Sequence, residues 1–127
     1  MRQHSERPVF INLLQIRFPI GALLSILHRV TGVVLVLAIP LLVYLLQLLN
    51  SGETGFAEGR SLLQSIPGKL AVSLILWTLI QHTLSGIRHL LMDLDFGYQK
   101  HVARNTARIA FALSISLIIT TGIVIWA

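Results

Sequence analysis

The 127-residue chain has no cysteine. That excludes disulfides, thiolate-ligated iron–sulfur clusters and a cysteine nucleophile. Charge is scarce: 12% of residues are charged, against about a quarter in soluble domains. Acids are the rarer sign, 5 against 10 lysines and arginines. The chain is instead 54% hydrophobic, with a mean hydropathy of +0.78. This composition excludes a soluble domain and describes a small polytopic membrane protein. The net charge of +5 would suit a nucleic-acid partner. The basic residues, however, sit at the ends of apolar runs, where membrane topology accounts for them, so no nucleic acid is expected. Met1–Pro8 is polar and lacks an apolar core followed by a small-residue cleavage site, so it does not read as a signal peptide. No internal repeat or low-complexity tract stands out.

The expected architecture is all-α, a single membrane domain over 1–127 with spans near 20–49, 70–92 and 109–127. Val9–Ile16 is apolar but too short to cross and suits an interfacial segment. Pro19 lies where a helix can begin. In the first span the uninterrupted apolar part is Val30–Leu49, about one bilayer, which puts Ser25, His28 and Arg29 at the membrane surface. Pro40 should kink this helix, which membrane helices tolerate. Asn50–Gly55 reads as a loop, Phe56–Ile66 as a weakly amphipathic surface helix, and Pro67-Gly68 as a break. Asp93–Tyr98 reads as a turn and Gln99–Arg108 as a basic connection. Ser114, Ser116, Thr120 and Thr121 of the third span should bond their own backbone or a neighbouring helix, and Trp126 suits an interfacial belt.

Orientation follows from the bases. Arg2, Arg7, Arg17, Arg29, Arg88, Lys100, Arg104 and Arg108 fall on the N-terminal side, and only Arg60 and Lys69 lie opposite. This predicts a cytoplasmic N-terminus and a periplasmic C-terminus.

Chemistry concentrates in Gln81–His89. Ionisable residues inside a span are expensive and mark function by default. His82 lies 11 residues before Asp93, roughly 16 Å deep and near the midplane. His89 is two turns away on nearly the same face, and Gly86 between them leaves room for something flat. A histidine at that depth needs a partner: either a hydrogen bond to a neighbouring helix or an iron. Topology also brings His28 and Arg29 to the level of Arg88 and His89. Four groups that can be cationic would sit above His82 and suit the propionates of a haem whose iron His82 ligates. The plainer reading makes them positive-inside anchors, which explains the arginines but not three histidines. Ser25 and Arg29 share a helix face and offer donors to a carbonyl such as that of a quinone; the plainer reading of Ser25 is a helix cap.

Two motifs carry a resemblance: Arg7-Pro8 through Ser25-x-x-His28-Arg29-x-Thr31-Gly32, and His82-x-x-x-Gly86-Ile87-Arg88-His89-x-x-x-Asp93. With Ile16–Ile20 and the three-span layout, the chain resembles the bacterial cytochrome b556 membrane-anchor subunits of succinate dehydrogenase, respiratory complex II. The resemblance implies that His82 is an axial ligand of haem b, and that the other ligand is a histidine of a second anchor subunit. It implies that His28, Arg29 and His89 lie near the propionates, and that Ser25 and Arg29 form part of a ubiquinone site. That site would be completed by the partner anchor and the iron–sulfur subunit. It further implies an anchor in the bacterial inner membrane that holds a flavoprotein and an iron–sulfur subunit. Two departures stand out. Gln81 replaces an aromatic residue often found before the haem histidine, and two extra residues lengthen the turn at Asp93–Tyr98. The alternatives are a fumarate reductase anchor and, in another class, a small proton-coupled transporter using His82 in a relay.

Overall fold

The computed structural model describes residues 18–127. The expected interfacial segment at Val9–Ile16 and the Arg7-Pro8 motif lie outside the described residues. Four helices follow: α1 (Ile20–Leu49), α2 (Glu53–Gln64), α3 (Ile66–Asp93) and α4 (Lys100–Trp126), with no strand among the described residues. Helices α1, α3 and α4 are long and apolar enough to cross a membrane. The all-α, three-span expectation therefore holds.

The helix bounds follow local chemistry more closely than the apolar runs do. α1 starts after Pro19, itself extended at φ −64° and ψ 151°, and it continues through Pro40. α4 begins at Lys100 rather than Ile109, so the basic connection is helical. Residues 100–108 contain neither glycine nor proline, and Lys, Ala and Arg are good helix formers. The helix thus runs out of the apolar layer into the interface. The surface helix expected at Phe56–Ile66 is present as α2 and begins at Glu53.

Two junctions fix the helices' mutual placement. A single residue, Ser65, separates α2 from α3. Its backbone N–H donates to Ser61 O (3.1 Å), closing α2, while its hydroxyl accepts from Gly68 N (3.1 Å), capping α3. At the other end of α3, Asp95 takes a left-handed φ of 62°. Its N–H donates to Met92 O and that of Phe96 to Leu91 O. This is the Schellman arrangement, with aspartate where glycine is commoner.

The packing is inverted relative to a soluble bundle. On α3 the buried stripe is Thr78, Gln81, Ser85 and Arg88, on α4 it is Ala107, Ala110 and Ser114, and on α1 it is Leu24, Thr31 and Ala38. Large side chains such as Val33, Leu37 and Val124 face outward. Lipid is as apolar as leucine, so small residues that allow close approach, and polar groups that bond across helices, hold such a bundle together. Leu24 packs against Ala107 and Ala110, with Ile20 and Phe111 beside them. Gly55 and Gly59 of α2 lie against the end of α1, where a Cβ at Gly59 would meet Leu49 Cδ2 at 2.7 Å. On α4, Ser116, Thr120 and Thr121 donate to carbonyls one turn back, as expected. Ser114 is buried and its hydroxyl finds no partner among the described residues. Trp126 donates to Ser73 Oγ (3.3 Å) and lies under Lys69.

Candidate functional site: a reciprocal histidine pair

The site is built where α1 and α3 cross. The imidazoles of His28 and His82 stack with centroids 4.0 Å apart and planes inclined by 16°. His82 Nδ1 lies 3.0 Å from His28 O, and His28 Nδ1 lies 3.1 Å from His82 O. A carbonyl oxygen only accepts, so each Nδ1 carries the proton and donates. Each histidine therefore ties down the other's backbone across the helix pair.

The surroundings repeat with the same reciprocity. Thr31 Oγ1 donates to Leu27 O and lies 3.4 Å from His82 Nδ1. Ser85 Oγ donates to Gln81 O and lies 3.2 Å from His28 Nδ1. Both residues are fully buried. One residue further along each helix is a glycine. A Cβ on Gly32 would lie 3.0 Å from His82 Cε1, and one on Gly86 3.0 Å from His28 Cε1. The flat object admitted by Gly86 is thus the His28 ring. His28-Arg29-Val30-Thr31-Gly32 and His82-Thr83-Leu84-Ser85-Gly86 are one pattern, His-x-x-(Ser/Thr)-Gly, used twice on antiparallel helices. The chain does carry an internal repeat, then, one too short to stand out before the two helices are paired.

The geometry revises one level in the expected arrangement. Counting the bilayer from Val30 puts His28 at the surface with His89. The stack puts it beside His82 instead. It remains near His89, whose ring centroid is 5.4 Å away. Arg29 is exposed and borders the same groove as His82. Arg88 is not gathered with them. Its Nη2 donates to Ala103 O (2.9 Å) and its Nε to Thr106 Oγ1 (3.3 Å), so its side chain joins α3 to α4. Gln81 also turns inward, buried, with its amide nitrogen unpartnered among the described residues. Ser25 is half-buried, and its hydroxyl bonds nothing among the described residues. It is no cap: the residue before α1 is Pro19, and no side chain caps that helix.

What remains open on the outer side is a groove of about 540 Å³ lined by Arg29, Gly32, Val33, Val36, Leu37 and His82. Its walls are apolar, an imidazole lies in it and a guanidinium stands at its rim. With His82 Nδ1 bonded to a carbonyl, the Nε2 lone pair is left for a metal, and the carbonyl bond fixes the tautomer and steadies the ring. The groove and donor set fit a haem held by a single histidine from this chain. The described residues contain no cluster of three metal-ligating side chains, so a metal here would need a macrocycle or a partner's ligand.

These features define a class: a helical membrane protein with a reciprocally bonded histidine pair at the crossing of two helices. Comparison with known proteins makes the class specific. Residues 3–121 match the family described as the succinate dehydrogenase/fumarate reductase transmembrane subunit. The chain is 39% identical over 124 residues to the succinate dehydrogenase cytochrome b556 subunit of Coxiella burnetii, covering 97% of this chain and 99% of that protein. It is 31% identical to that of Paracoccus denitrificans over 119 residues, 94% of this chain and 92% of the relative. The chain belongs to the succinate dehydrogenase/fumarate reductase transmembrane subunit family.

The glycine seats give a contrast within one chain. Ala in place of Gly usually favours a helix by about 0.5–1 kcal/mol. At Gly32 or Gly86 the added methyl meets an imidazole, and overpacking should cost about 1–3 kcal/mol. Nothing lies within 4 Å of a Cβ at Gly122. Thermal melting of the purified complex should therefore fall for Gly32→Ala and Gly86→Ala and be unchanged or rise for Gly122→Ala.

Proposed function

We propose that the chain is the haem b-binding anchor of a bacterial succinate dehydrogenase and forms part of its ubiquinone-reducing site. The observation that carries this reading is His82. Its Nδ1 proton is held by the His28 carbonyl, and the residue borders an apolar groove. The relatives' names, succinate dehydrogenase cytochrome b556 subunit, support a cytochrome working in the direction of succinate oxidation.

A bound b-type haem would supply one-electron storage, tuned by the residues that hold it and by burial. This chain's residues do the rest. His82 would hold the haem iron through its Nε2, and a second anchor subunit would supply a further ligand. Arg29, His89 and, once its ring also carries a proton on Nε2, His28 offer donors to propionates through charge-assisted bonds. Arg88 is set apart from that role, because its donors go to α4. Ser25 donates to a quinone carbonyl, and Arg29, one turn later, stabilises the charge that develops there. The site is completed by the partner anchor and the iron–sulfur subunit, which together with the flavoprotein subunit dock on the cytoplasmic face of the inner membrane. Succinate chemistry belongs to the flavoprotein. The distribution of bases supports an N-terminus in the cytoplasm and a C-terminus in the periplasm.

Three measurements test the reading. His82→Leu should perturb or abolish the b-haem absorption spectrum, and His89→Leu should do so less. An unchanged spectrum in His82→Leu removes the assignment, and no b-haem in the wild-type complex favours a transport role. A reporter active only outside the cytoplasm should be active when fused after Ala127. Ser25→Ala should lower quinone turnover about ten- to a hundredfold, the loss of one donor worth about 1–3 kcal/mol. Haem content and reduction of a soluble dye by succinate should be unaffected. Normal quinone turnover would place the site elsewhere.

A further inference from the structure

Arg88 points to a second site. Only 9% of it is exposed, and its hydrogen bonds go to a carbonyl and a hydroxyl, both neutral. A guanidinium buried with no counter-charge among the described residues is in a costly position. It lines a cavity of about 610 Å³ where the first turns of α1 and α4 meet the last turns of α3. Lys100, His101, Arg104 and Arg108 line the same cavity, and no carboxylate does among the described residues. Gly21 of α1 forms part of the wall, where a Cβ would sit 3.7 Å from Arg88 Nη2. With glycine there, the lumen reaches the guanidinium.

We propose that this cavity binds the phosphate of an anionic phospholipid. Several arginines and a lysine around one hollow suit a phosphate oxyanion. The N-terminal ends of α1 and α4 add positive partial charge at the same place, two helix ends against the one negative end of α3. Lipid is favoured over free phosphate by position. The cavity lies at helix ends that meet the headgroup layer, where anionic lipid is concentrated. Arg88 also borders an apolar hollow of about 310 Å³ between α3 and α4, among Leu84, Ile87, Leu91 and Leu113. A charged pocket and an apolar groove sharing one arginine match a headgroup with its acyl chain. The proposal needs the three membrane helices and is independent of haem and quinone binding.

The test is native mass spectrometry of the purified complex after delipidation, with phosphatidylglycerol, phosphatidylcholine or inorganic phosphate added back. The wild type should retain phosphatidylglycerol and not phosphatidylcholine. Arg104→Gln with Arg108→Gln should weaken retention about thirtyfold, the effect of two basic groups at a charged surface. Gly21→Leu should weaken retention strongly by standing a side chain between the lumen and Arg88, with every charge in place. Arg60→Gln with Lys69→Gln, at the other end of the bundle, should leave it unchanged. Retention undiminished in Gly21→Leu would mean diffuse attraction to basic residues and overturn the site. Equal protection by inorganic phosphate would assign the cavity to the free anion and overturn the lipid. Cross-links from Lys100 to an acidic segment of a partner subunit would overturn it in favour of a protein surface. The wild type gives a measurement that needs no variant: in phosphatidylglycerol vesicles, amides at the start of α1 and α4 should exchange more slowly than in phosphatidylcholine vesicles. Equal exchange in the two would overturn the proposal.

Discussion

Two N–H groups donating to two carbonyls, in opposite directions across one helix crossing, hold the rest of the site in place. In a medium that offers no water, an unpaired imidazole N–H or a carbonyl freed from its helix is expensive. The His28–His82 exchange leaves neither Nδ1 unpaired. It also sets the distance between α1 and α3, because the rings can stack only where both neighbouring glycines lack side chains. The consequence for chemistry is a division of labour within each ring: one nitrogen holds the fold and the other is left for a ligand. The two readings of a buried histidine, structural bond or metal ligand, are compatible here because they use different atoms of His82.

α4 is attached by different means. Leu24 meets Ala107 and Ala110 by close packing, and Arg88 reaches across to Ala103 and Thr106. Interior residues are small or polar, and bulky side chains cover the outside. Each polar contact between helices in such a bundle contributes only about a kilocalorie per mole or less. Specific placement therefore comes from several contacts that agree in register: the histidine pair, the arginine and the serine–tryptophan bond near the end of α4.

The spans were legible in the sequence because a run of twenty apolar residues can hardly be anything but a membrane helix. His82 was legible because charge-capable residues are rare inside such runs. Less legible was whatever depended on a partner helix. An apolar run marks where the membrane ends, and a helix need not end there. That difference shortens α4 by its basic first turns and lifts His28 to the surface. The pattern shared by His28–Gly32 and His82–Gly86 fixes only three positions in five. It acquires meaning when the two segments face each other, and a single chain read in order does not show that they do. Arg88 looked like a member of the histidine cluster because it precedes His89. One step along a helix turns a side chain by about 100°, enough to send it to α4 instead.

The two junctions of α3 also differ in how they bear changes of chain length. At Ser65 one residue serves two helices, and α2 reaches the end of α1 with Gly55 and Gly59 inward. A residue inserted into α2 would turn the following part of its small face about 100° from that contact, and the junction has no slack with which to compensate. The left-handed step at Asp95 closes α3 with its own hydrogen bonds, so the segment from Phe96 to Gln99 can vary without disturbing what precedes it. Length variation in this part of the molecule should thus collect at one end of the bundle and be excluded from the other.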